Sequence, residues 1–224
     1  ARKAVERLGA GKLSTRKAPV LFAPDLARGL VGHFVGAIGG TAQYRRSSFL
    51  LDARGQRVFP EGISLIERPH LRGALGSAPF DSEGVATRDR ELVVHGVLDG
   101  YLLDAYSARK LGLVTTGNAG GVHNLVVQGH MLDPKTLLKK LGTGLLVTEM
   151  MGQGVNPVTG DYSRGAAGFW VENGEIARPV HEITVAGNLR EMYRKIVAQG
   201  DDVDCRGSIH CGSLLIGELT IAGD

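Results

Sequence analysis

The chain has 224 residues, 43% hydrophobic and 22% charged, which is the composition of a globular protein with volume for a core and excludes a disordered chain. Its formal charge of +3 comes from 26 basic and 23 acidic residues spread along the whole length. The densest basic spots, Arg45-Arg46, Arg88 with Arg90, and Lys139-Lys140, have no aromatic residues interleaved for base stacking, so nucleic acid is not the expected partner, and the longest apolar stretch, Leu30 to Gly40, is too short for a bilayer.

The start, Ala1 to Glu6, lacks a hydrophobic signal core. Ala4, Val5 and Leu8 lie at helical spacing ahead of Gly9 and Gly11, which predicts a short helix over 1–9. Residues 1–17 read as the end of an upstream helix or linker, and 18–224 as one domain. Ala18 to Ala23 reads as a strand. Pro24-Asp25 then opens a helix in which Leu26, Leu30, Phe34 and Ile38 recur every four residues until Gly39-Gly40 stops it. Gly29, Gly32 and Gly36 fall inside this helix, where each costs up to ~1 kcal/mol relative to Ala, so a close backbone approach or a local break is expected.

From Ser47 the apolar period changes to two. Three hairpins are expected: Phe49-Leu50-Leu51 with Val58-Phe59, Leu92-Val93-Val94 with Val97-Leu98, and Phe169-Trp170-Val171 with Ile176. The last turns through Asn173-Gly174, a pair suited to the two positive φ angles of a type I′ turn. Short helices are predicted at Tyr106 to Leu111, at Pro134 to Leu141 behind the N-cap Asp133, and at Leu189 to Gln199 behind the N-cap Asn188. The final strand runs from Ser213 to Ile221. Thirty-three glycines, about twice the usual share of ~7%, fit many tight turns. Hairpins with interspersed helices indicate an α+β fold, mainly antiparallel, with a curved or barrel-like sheet and short flanking helices.

Several familiar motifs fail on inspection. Gly9 to Ser14 lacks the first glycine and the hydroxyl of a phosphate loop, and Gly117 to Gly121 leads into a strand rather than a helix, so it reads as a glycine turn. Asp161, Ser163 and a histidine do not make a triad on sequence grounds. His70, His95 and His181 stand alone, and His123 and His130 fall at opposite ends of a strand. His210-Cys211 precedes the final strand, but neighbours in extended chain point to opposite faces. Cys205 and Cys211 read as reduced thiols in a cytoplasmic protein.

Six blocks carry a resemblance. They are Tyr44 to Asp52, Pro79 to Val85, Tyr106 to Gly112, Glu149 to Val155, Gly160 to Trp170 and Cys211 to Ser213. In this order they resemble the C-terminal half of the TldD/PmbA metallopeptidase family, on its PmbA/TldE branch, long labelled modulators of DNA gyrase. The resemblance implies a peptidase of unfolded or small peptides, acting in proteolysis and peptide maturation and built from two related subunits. In the TldD subunit a His-Glu-x-x-x-His helix and a later cysteine bind zinc, with the Glu as general base.

Here the equivalent helix reads Arg28-Gly29-Leu30-Val31-Gly32-His33, and the late cysteine is Cys211. A guanidinium does not deprotonate and cannot ligate zinc. Glycine offers no proton acceptor, and a catalytic zinc takes three protein ligands. The chain is therefore expected to hold no metal, with zinc on a TldD-type partner in a heterodimer, or else to pair as a homodimer. Positions i and i+5 also lie about 140° apart on a straight α-helix, so a break near Gly32 would be needed to bring such a pair together. Asp161, Tyr162, Ser163 and Arg164 are the candidate substrate or interface contacts. Two alternatives stay open: a self-sufficient metallopeptidase using His33, Cys211 and a third residue such as His210 or Asp161, or a non-enzymatic modulator of DNA gyrase.

Overall fold

The computed structural model describes residues 5–223. The predicted helix over 1–9 begins outside that range, and Glu6 to Gly9 form a turn. The elements in chain order are β1 (Arg16–Phe22), α1 (Pro24–Ala37), α2 (Gly40–Tyr44), β2 (Ser64–Glu67), β3 (Arg90–Val94), β4 (Val97–Leu98), α3 (Ala105–Leu111) and β5 (Leu125–Gln128). They continue with β6 (Met131–Leu132), α4 (Pro134–Leu141), β7 (Gly144–Met151), β8 (Asp161–Glu172), β9 (Glu175–Asn188), α5 (Leu189–Arg194), β10 (Ile196–Gly200), β11 (Ile209–His210) and β12 (Leu214–Ala222).

Strand β1 pairs with β12 on one side and β7 on the other, so β1, β7, β8, β9 and β12 close into a ring, from which β10 and β6 extend. The β1–β12 pairing removes the open edge that β1 would otherwise expose. The second sheet runs β11-β5-β2-β3-β4. Most pairings are antiparallel, as the α+β reading expects; β1–β7, β10–β6 and β11–β5 are parallel.

Two of the three expected hairpins are present. Asn173 and Gly174 take φ of 53° and 79° between β8 and β9, and His95 and Gly96 take 45° and 80° between β3 and β4. The third is not a hairpin: Phe49 to Phe59 is a series of turns, with the Val58 and Phe59 amides both donating to the Gly96 carbonyl. The backbone donors are satisfied by a neighbouring turn instead of by each other. The helix expected over 189–199 stops at Arg194, because the following residues pair with β12 as β10. Helix α1 is continuous, and a Cβ at Gly29, Gly32 or Gly36 would meet nothing within 4 Å. The break and the close approach expected at these glycines are both absent.

One large core joins the ring, α1 and the second sheet. Helix α1 contributes Ala27, Leu30, Val31, Phe34 and Ala37, the spacing of one buried helical face. Phe34 packs edge-on to Phe59 and Tyr193, with centroids 5.0 and 5.9 Å away, and the Tyr193 hydroxyl donates to the Leu30 carbonyl at 2.8 Å. These contacts fix the rotation of α1, and so fix which way its remaining residues face. No helix among the described residues is long and apolar enough to cross a membrane.

Candidate functional site

With its apolar stripe buried, α1 sends Arg28 and His33 to different places. Arg28 reaches the 202–206 loop, where Nη1 lies 3.4 Å from Asp204 Oδ2 and donates to the Arg206 carbonyl. Asp204 is buried and also accepts from the Arg206 amide at 2.9 Å and from Arg206 Nε at 3.0 Å. These bonds, Arg206's first and Arg28's charge after it, hold the carboxyl down to about 2. Asp25, Asp202, Cys205 and Phe169 join Asp204 and Arg206 around a cavity of about 520 Å³ on this side. Gly29 is exposed and brings no side chain.

His33 faces β8. Its ring stands nearly perpendicular to that of Tyr162, centroids 6.4 Å apart. Burial, and then the charge of Arg164, lower its pKa below 6.5, so it is neutral at pH 7. The same burial pushes the Tyr162 hydroxyl up to about 12. Arg164 donates from Nε to the Gly152 carbonyl at 3.0 Å. His33 and Arg164, with Gly152, Gln153, Val155 and Pro157, line a pocket of about 350 Å³.

Strand alternation divides the quartet singled out in the sequence. Tyr162 and Arg164 turn toward α1. Asp161 and Ser163 are exposed, and the Asp161 carboxylate is engaged by Thr159 Oγ1 at 2.7 Å and Asn188 Nδ2 at 3.2 Å. Asp161 therefore supports a turn.

Cys211 is fully buried in the main core, with Sγ 3.2 Å from the Gly212 carbonyl; burial, and then Asp202, push its thiol up to about 12. His210 is buried and its Nε2 has no hydrogen-bond partner, yet no three His, Cys, Asp or Glu side chains among the described residues are grouped to hold an ion. The donor set does not fit a zinc centre: Arg28 is committed to Asp204, Gly29 is bare, and His33 and Cys211 supply two donors where three are needed. Sequence reasoning missed Asp204, Arg206 and Gly152, whose roles come from partners distant in the chain. The one hint was the acidic run Asp201-Asp202-Val203-Asp204 shortly before Cys211.

The PmbA/TldA metallopeptidase C-terminal domain matches residues 15–223. The Metalloprotease PmbA of Escherichia coli is 56% identical over 223 residues, covering 100% of this chain and 50% of that protein. A Metalloprotease PmbA homolog of Haemophilus influenzae is 54% identical over 225 residues, again covering 100% of this chain and 50% of its own. The chain thus spans about half the length of these relatives. A Thermotoga maritima crystal structure, described as a candidate modulator of a DNA gyrase, superposes with a TM-score of 0.92 at 34% identity, covering 99% of this chain and 53% of that one. TldE of Thermococcus kodakarensis shares the fold, with a TM-score of 0.88 at 23% identity over 99% of this chain and 54% of its own.

Proposed function

The chain belongs to the PmbA/TldD metallopeptidase family, and from that premise we propose that it serves as the subunit that holds no zinc in a two-chain peptidase of unfolded or small peptides. The metal is carried by a TldD-type partner, where it supplies a Lewis acid and an activated water. This chain's own contribution is to complete the complex and to hold peptide near His33 and Arg164.

One observation carries the reading: Arg28, at the first ligand position of the family's helix, is turned away from His33 and bound to a buried carboxylate. A continuous α-helix keeps the two about 140° apart. Gly29 cannot accept a proton from water, so general-base catalysis has no agent at that position. Cys211 is buried in the core, and among the described residues no three His, Cys, Asp or Glu side chains are grouped to hold an ion.

The test is peptidase activity on an unstructured peptide. The full-length protein alone is expected to leave it intact, and mixing with a TldD-type chain is expected to yield cleavage that Gly29→Ala does not reduce. Cleavage by the isolated protein at a rate matching the mixture would overturn the reading.

A further inference from the structure

The arginines of this fold divide into those that stand beside a carboxylate and those, Arg164 among them, that do not. Arg7, Arg28, Arg46, Arg194 and Arg206 each stand within ion-pair distance of a carboxylate. Among the described residues none stands so near Arg164, although its side chain is half-buried and held in place. Nε is fixed on the Gly152 carbonyl, and Tyr162, two residues away on the same face of β8, is near enough to interact with the same guanidinium. Gly152 and Gly154 let the 152–155 segment fold onto β8; the Ser163 amide donates to the Gly154 carbonyl at 2.7 Å, and a Cβ at Gly154 would meet the Ser163 carbonyl oxygen at 1.7 Å.

The pocket that results contains no acidic residue. Its second titratable group, His33, is neutral at pH 7 and does not compete as a cation. Its apolar lining is Val155 and Pro157. A held guanidinium without a counter-ion, set in a partly desolvated cleft, is matched by a ligand that brings the missing oxygens, and its planar fork fits a carboxylate.

We propose that this pocket receives a carboxylate of the bound peptide, either the C-terminal α-carboxylate or an acidic side chain. Arg164 is the ion-pairing residue, Tyr162 the positioning residue that steadies its guanidinium, and Val155 and Pro157 the apolar wall for neighbouring peptide side chains. The proposal rests on the peptide-handling reading above.

The experiment is fluorescence anisotropy of an N-terminally labelled, unstructured peptide on the complex reconstituted from full-length chains. Four peptides are compared: the free acid, its C-terminal amide, a form with Asp and Glu replaced by Asn and Gln, and one carrying both changes. Loss of the recognised carboxylate is expected to weaken binding about tenfold or more, the amide reporting the terminus and the Asn/Gln form the side chains. Arg164→Gln is expected to abolish the difference between the four, and Arg164→Lys, which keeps the charge without the fork, to restore part of it. Equal binding of all four peptides by the unmutated complex overturns the carboxylate pocket and leaves peptide handling standing. Failure of every peptide to bind overturns both. The peptide arms leave the protein unaltered, so an unfolded variant cannot obscure the answer.

Discussion

Arg28 and His33 begin five residues apart on one helix and end in unrelated surroundings, one against a buried acid and the other against a tyrosine and an unpaired arginine. That Arg28 cannot ligate a metal is readable from its chemistry alone. Its partner Asp204 is not, because the contact joins α1 to the loop before β11. The pairing has a measurable consequence. Asp204 is held at about 2 against an ordinary 3.8, and a depressed carboxyl contributes stability that is present above its unfolded pKa and lost as pH falls through its folded one. The window is therefore about pH 4 down to about 2. Asp204→Asn is expected to cost about 2 kcal/mol at pH 7 and to flatten the acid limb of urea-denaturation stability across that window. An unchanged acid limb would show that Arg28 and Arg206 do not hold this carboxylate. The quartet 161–164 makes a related point: as letters it is one block, and only the two-residue period of β8 separates Asp161 and Ser163 from the pair that faces His33.

Elements were legible where local chemistry decides them. Asn173-Gly174 turns β8 into β9, and Asp133 accepts from the Lys135 and Thr136 amides to start α4. They were not legible where a distant strand decides. Residues 196–200 continue a helical pattern as letters, but their amides and carbonyls find the ladder of β12 and form β10. The false hairpin at 49–59 fails likewise, since Gly96 supplies its acceptor. Helix α1 offers the clean test at this scale. Gly29 is exposed and a Cβ there meets nothing within 4 Å, so Gly29→Ala is expected to raise stability by roughly 0.5–1 kcal/mol through the removal of glycine's backbone freedom. A loss of stability in denaturant titration would mean that this helix face is covered in a way the fold does not show.

At the scale of the molecule, the closed ring with α1 docked on it is the family's scaffold, and three of the six sequence blocks sit where it is built: 160–170 in β8, 149–155 at the end of β7 and beyond, 211–213 leading into β12. Those blocks let the fold be read before any coordinates. The pocket could not be read that way, because His33, Gly152 and Arg164 meet only after the ring closes. Whether the metal chemistry lies outside this chain is decided most directly by metal analysis. The full-length protein, purified alone and equilibrated with zinc, is predicted to retain far less than one ion per chain after desalting, with no further change on His33→Ala or Cys211→Ser. One tightly held zinc per chain, released by either substitution, would contradict the account.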